Sequence, residues 1–217
     1  MHCERIALPT ELYPQGAYTI SANRQLFNKC FSFIIIIMKE NSKKPEYMTS
    51  LSGNVLVSKN HGRIVFRGLV DTLQSEIIEA QVLSFGLGET EICAKLGEIL
   101  NFLRALMAAE VKETPLLPPC LFGLYAEEIH RQSHEAVITN SEGKPVLPDY
   151  TQGPLSARLN TLRAKSRELE LFSVKVFRPD RINEAEQPSH ERADIILALN
   201  RLSSAFWLLT CESCNRR

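Results

Sequence analysis

FRGLVDTLQSEIIEAQVLSFGL, residues 66–87, carries Phe66, Val70, Leu73, Ile77, Ala80, Ser84 and Leu87 in steps of 4, 3, 4, 3, 4 and 3. Alternating threes and fours line up on one side of an α-helix, whereas a half-buried strand alternates by two. The same rhythm returns at Ile92, Leu96, Ile99, Leu103 and Leu106. It returns again at Leu155, Leu159, Leu162, Ser166, Leu169, Ser173 and Val176, and at Ile195, Leu199, Leu202, Phe206 and Leu209. Four seams on helices of about 16 to 24 residues predict an all-α helix bundle of four to five helices. Only Gly86 to Glu89 separates the first two, which predicts antiparallel neighbours. Serines on two of the seams imply close helix approach or a polar pocket within the bundle.

Between the second and third seams, Thr114 to Gly153 is rich in proline and reads as an ordered excursion with a short helix near Tyr125 to Ser133. Pro154 stands where a helix tolerates it, in the first turn. Pro179 to Pro188 reads as a second loop. No internal repeat is visible.

The chain has 217 residues, is 44% hydrophobic, and balances 25 basic against 25 acidic side chains. That hydrophobic share excludes intrinsic disorder, and the zero balance argues against a nucleic-acid binder. No uninterrupted apolar run reaches about 18 residues, so no membrane span is expected. Cys3, Cys30, Cys93, Cys120, Cys211 and Cys214 are too scattered for a disulfide framework, which points to a reducing cytoplasm. Phe31 to Met38, FSFIIIIM, stands apart. It starts late and runs into KENSKK rather than a cleavage site, which argues against a signal peptide. A buried strand and a leader outside the main fold both remain open.

Polar stripes flank the seams. Arg67, Asp71 and Gln74 share one; Arg163, Arg167 and Glu170 share another; Asn200 and Ser203 share a third, with Arg201 beside them. Paired arginines one turn apart suit phosphate oxygens, and Asp71 could hold one of them in place. The competing reading is ordinary charge decoration beside a packed seam. His130 and His134 are one turn apart and could share a metal, but the zinc-protease glutamate between them is missing. Cys211 and Cys214 form a CxxC with no second pair, and read as incidental thiols. There is no GxxxxGK[ST] loop, and Gly86 and Gly88 follow no strand, so a nucleotide site would have to be built from side chains between helices.

Several strings together carry a resemblance. They are KKPEYMTSL with LVSKNHGRIVFRGLVDTLQSEII, then LFGLYAEEIHRQSH, then VLPDYTQGPLSARLNTLRAKSRELE, then LALNRLSSAFW. In this order, from Lys43 to Leu209, they resemble the ethanolamine-utilisation type of corrinoid adenosyltransferase, related to the propanediol-utilisation type. The resemblance implies a cobalamin adenosyltransferase-like helical domain over 43–217, with residues 1–42 as a divergent N-terminal extension. It implies transfer of the 5′-deoxyadenosyl group of ATP to the reduced cobalt of a corrinoid, making adenosylcobalamin for ethanolamine ammonia-lyase. It implies Mg²⁺, a trimer binding ATP between subunits, a flavoprotein reductase as partner, and a cytoplasmic or microcompartment setting, with neither nucleic acid nor membrane involved.

The resemblance also implies site residues. Asp71 in VDTLQS would orient an arginine of a neighbouring subunit. Arg163 and Arg167 would be phosphate-side cations, Glu168 or Glu170 would contact ribose or hold Mg²⁺, and Asn200 and Arg201 in NRLSS would join the ATP site. Arg63 and Arg67 would contact phosphate; for the corrinoid the candidates are Phe206 or Trp207, for which plain core packing is the favoured reading. Some members carry a His and a Cys-Cys-x-x-Cys metal cluster upstream of KKP; here only Cys30 stands there, so no resident metal centre of that type is expected. The family's last helix usually continues past NRLSSAFW, which implies weaker packing here. The alternatives are a non-catalytic corrinoid-binding protein and a structural helical protein of the ethanolamine-utilisation system.

Overall fold

Twenty-two of the predicted seam positions become core in the computed structural model, which describes residues 44–177 and 192–215. The expectations for residues 1–42, with Phe31 to Met38, Cys3 and Cys30, and for the Pro179 to Pro188 loop lie outside the described residues. In chain order the elements are β1 (Met48–Ser52), β2 (Val55–Ser58), α1 (Gly62–Gly86), α2 (Thr90–Lys112), β3 (Cys120–Leu121), β4 (Leu124–Tyr125), α3 (Ala126–Glu135), β5 (Ile138–Thr139), β6 (Pro145–Val146), α4 (Gly153–Phe177) and α5 (Ala193–Asn215).

The fold is all-α, with four long helices and the short α3. α1 packs on α2 and α4, α4 on α5, and α5 on α2, closing a four-helix bundle; α3 lies against α5. The strands make three separate antiparallel pairs that the helical periodicity gave no sign of. Local chemistry sets the helix ends. The His61 ring accepts the Arg63 N–H at 3.3 Å and caps α1. Gly88 turns the chain at φ 78°, a conformation glycine takes without cost, so α2 can start two residues later.

The seams are followed closely. Phe66, Val70, Ile77 and Ala80 on α1 are fully buried, as are all five seam residues of α2 and all five of α5. Leu87 differs: it lies past the end of α1 and is exposed. On α4 the seam closes on Phe177, which meets Phe66 edge to face at 5.0 Å, while Val176 is only half-buried. The serines prove to be spacers rather than a polar pocket. Ser84, Ser166 and Ser173 return their hydroxyls to carbonyls one turn back, and Ser156 meets Ser213 at 2.9 Å between α4 and α5.

α5 is long and apolar enough by composition to cross a membrane, although no single apolar run suggested it. Its apolar side is spent on the bundle core, with Ile195, Leu199, Leu202, Phe206 and Leu209 fully buried. Cys211 and Cys214 are buried there too, beside Ile138, Ala136, Val146 and Trp207. Burial, with Cys214 alongside, pushes the Cys211 thiol up to about 12, so Cys211 serves packing rather than acting as a nucleophile.

Asp194 anchors the start of α5. It accepts the Leu116 N–H at 2.8 Å and the Ile195 N–H at 2.9 Å, and pairs with Arg192 at 2.9 Å. Burial alone would raise its pKa, but the bonds from Arg192 and Leu116 outweigh that and leave it below the ordinary carboxylate value. A depressed carboxylate stabilises the fold above its unfolded-state pKa and loses that contribution as pH falls through the folded value. Asp194→Asn is therefore expected to lower stability at pH 7 and to flatten the fall in stability below about pH 4. Urea unfolding at pH 7 and pH 3 checks this; equal midpoint shifts at both would refute it.

Candidate functional site

α5 is covered on one side by the core and leaves the other partly open. Along that open side stand Asn200, Ser203, Ser204 and Trp207, separated by steps of 3, 1 and 3, so they form one line about 10 Å long at the helical rise. α4 borders this line with Arg163 and Arg167, and α3 borders it with His130, Ser133 and His134. Together they line a trough of about 320 Å³. It contains two guanidiniums, two imidazoles, an amide and three hydroxyls, and no carboxylate among its lining residues.

Each member is held differently. Arg163 donates to the Asn160 side chain at 2.9 Å, and its guanidinium lies 5.8 Å from the centre of the Trp207 ring, within cation–π range. Trp207 in turn donates its indole N–H to the Ala136 carbonyl at 3.1 Å, which fixes the ring. Arg167 is exposed and bonds to no described residue. Asn200 is clamped: its amide N–H donates to Glu170 at 2.7 Å, and its oxygen accepts from Arg201. One amide hydrogen is left over for a ligand.

The sequence-based candidates thus divide by place. Arg163, Arg167 and Asn200 line the trough, and Glu170 reaches its edge through Asn200. Arg201 does not line it. It is 9% exposed, donates to the Asn200 oxygen and faces Glu127 at 3.6 Å. Glu168 lies on another side of α4, beside Lys165, Thr72 and Leu69. Phe206 is fully buried and has no surface to offer a corrinoid, whereas Trp207 is partly open. Asp71 is exposed on α1 and is not brought to the trough.

Arg63 and Arg67 have a separate fate. Both pair with Glu110, a fully buried carboxylate near the end of α2. Arg63 also bonds Glu113 at 2.6 Å and the Glu110 carbonyl at 2.9 Å, while Arg67 reaches the Leu51 carbonyl of β1 at 2.8 Å. Burial works against the Arg63 charge, but Glu113 and Glu110 outweigh it and hold its pKa above the ordinary value. These arginines tie α1 to α2 and to the first hairpin, and Arg67 Nη2 has no partner among the described residues. Arg63 also lines a larger cavity of about 510 Å³, with Lys175 and Phe172, where α1 begins and α4 ends. Sequence reading missed Glu110 and Ser204, and singled out His130 and His134 only as a possible metal pair, not as a wall of this trough. Glu110 carried a faint signal, as an acidic residue at the end of an apolar helix.

Comparison with known proteins bears on this geometry. A family model described as cobalamin adenosyltransferase matches residues 41–213. Corrinoid adenosyltransferase EutT of Escherichia coli (strain K12) is 33% identical over 176 residues, covering 81% of this chain and 62% of the relative. EutT of Salmonella typhimurium (strain LT2) is 33% identical over 175 residues, covering 77% and 58%. The chain thus spans about 62% of the length of the first of these relatives. A variant of the PduO-type ATP:corrinoid adenosyltransferase from Lactobacillus reuteri, solved with cobalamin and ATP, shares the fold with a TM-score of 0.57 at 20% identity, over 81% of this chain and 91% of that one.

Mutation at the two arginine sites should cost the fold unequally. Glu110→Ala removes the carboxylate shared by the buried Arg63 and the half-buried Arg67 and is expected to cost about 3–5 kcal/mol. Arg163→Ala with Arg167→Ala should stay within about 1 kcal/mol. Denaturant unfolding of both variants checks this, and a larger loss from the Arg163/Arg167 pair would reverse the assignment.

Proposed function

The chain belongs to the cobalamin adenosyltransferase family, and on that premise we propose that it transfers the 5′-deoxyadenosyl group of ATP to the reduced cobalt of a corrinoid. The product is adenosylcobalamin, serving ethanolamine breakdown. The observation that carries this reading is the trough, where Arg163, Arg167 and Asn200 meet and where Arg167 has no described partner.

In the reaction an electron pair on cobalt forms the bond to the ribose 5′ carbon. The carbon–oxygen bond breaks, and the polyphosphate leaves with its electrons. The nucleophile comes with the corrinoid, so the protein's task is placement and charge. Arg163 and Arg167 hold the polyphosphate and offset the charge that grows on it. Asn200, locked between Glu170 and Arg201, directs its remaining amide hydrogen at the nucleotide. Trp207, within cation–π range of the Arg163 guanidinium, helps hold it in place and shields one side of the trough from water.

Among the described residues no group of three or more His, Cys, Asp or Glu could hold a metal alone. Mg²⁺ usually keeps waters and takes one or two carboxylates with substrate phosphates. Glu170 fits that requirement and would hold the ion, which supplies further charge neutralisation to the leaving group.

A homotrimer is part of the proposal. Asp71, Ile78, Val82 and Phe85 lie on one outward stripe of α1, with Phe85 72% and Val82 69% exposed. Apolar knobs beside a carboxylate suit contact with another copy, where Asp71 could orient an arginine of that copy. A flavoprotein reductase and ethanolamine ammonia-lyase are the proposed partners, in the cytoplasm or a bacterial microcompartment, by resemblance to the ethanolamine-utilisation type.

Cob(I)alamin and ATP with the protein should yield a new absorbance spectrum that light abolishes; no such product would sink the reaction. Arg167→Ala should lower turnover at least about tenfold, the loss of one charge-assisted contact, and an unchanged rate would remove Arg167 from the site. Light scattering should report a trimer for the wild type and a smaller species for Val82→Glu with Phe85→Glu; a monomeric wild type would overturn the assembly.

A further inference from the structure

The third wall of the trough is not accounted for by the residues assigned above. α3 runs alongside α5 in the same direction: Glu127 lies 3.6 Å from Arg201, and nine residues later the Ala136 carbonyl accepts the Trp207 indole at 3.1 Å. Between these two ties, His130 and His134 face the trough, their ring centres 4.5 Å apart and nearly perpendicular. Of the acidic residues of α3, Glu128 and Glu135 both pair with Arg131, and Glu127 faces Arg201 of α5.

Two imidazoles one turn apart could hold a metal, but the setting opposes it. No third His, Cys, Asp or Glu joins them among the described residues, and Arg163 and Arg167 across the trough would repel a bare dication. An anion meets the reverse situation. Each ring has an N–H to donate even when neutral. The histidines and the arginines are both four residues apart, so each wall presents two donors about 6 Å apart along its helix. Paired rungs along a trough suit a chain of linked phosphates better than a single phosphate group.

We propose that His130 and His134 bind the polyphosphate chain from the side opposite Arg163 and Arg167. This rests on the ATP reading above for the identity of the substrate, though not for the anion site itself. The contacts hold the leaving group in register while the ribose carbon is attacked.

Isothermal titration of the full chain with inorganic tripolyphosphate tests the proposal. His130→Ala with His134→Ala should weaken binding at least about tenfold. His130→Gln with His134→Gln, which keeps an N–H donor at each position, should recover part of it and guards against a misfolded α3, with circular dichroism and Trp207 fluorescence as checks. Unchanged affinity in the alanine pair, or no tripolyphosphate binding by the wild type, would overturn the proposal. Histidine-dependent tripolyphosphate binding without adenosylcobalamin formation would leave this site standing and remove the proposed reaction. An active enzyme whose alanine pair binds tripolyphosphate and ATP as the wild type does would do the opposite.

Discussion

The close packing of α4 against α5 is the contact on which the trough depends. Both helices bury small residues, Ser156, Ser166 and Ser173 on α4 and Ala198, Ala205 and Ser213 on α5. Small side chains let the backbones approach, and the hydroxyls of Ser166 and Ser173 bond within α4 while Ser156 bonds Ser213 across the two helices. With the axes held close, residues on the rims of the two seams are forced side by side. Arg163 then meets Trp207, and Glu170 meets Asn200. The same packing that makes the core therefore makes the polar lining, because rim and seam are adjacent strips of the same helices.

Burial divides the arginines. Arg63 and Arg67 have the same four-residue spacing as Arg163 and Arg167. The first pair sits where α1 crosses the end of α2, and there Glu110 is completely enclosed. A charge out of water must be paired, and Glu110 pairs with both guanidiniums at once, one carboxylate oxygen to each. The second pair borders the open side of α5, where water can solvate a cation until a ligand displaces it. One pair braces the fold and the other is left available, although their local sequences read alike.

α1 carries apolar side chains on two sides. Its inner seam fills the bundle, while Ile78, Val82 and Phe85 project from the other side. A helix with apolar strips on both sides is not explained by a single chain's core. Asp71 shares the outer strip and stands apart from the trough within one chain. α3 is a second case of this economy: its ion pairs hold it together on the outside, which frees His130 and His134 for the inside.

Periodicity alone established the helix bundle, its four seams and the antiparallel link at Gly86 to Glu89, because burying an apolar strip along a helix leaves a 3-4 rhythm that any window of the chain displays. The stripes of Arg163, Arg167, Glu170 and Asn200 were legible for the same reason, since rim positions follow from seam positions. Whether a given polar residue faces a ligand, a buried partner or solvent was not legible. That depends on which helix lies opposite, and contacts such as Arg63 with Glu110, 47 residues apart, leave no periodic trace. The short strand pairs, the burial of Arg201 and Phe206, and the histidine wall over the trough were likewise decided only when the helices packed, because distance in space between separate rods is not encoded in the spacing along any one of them.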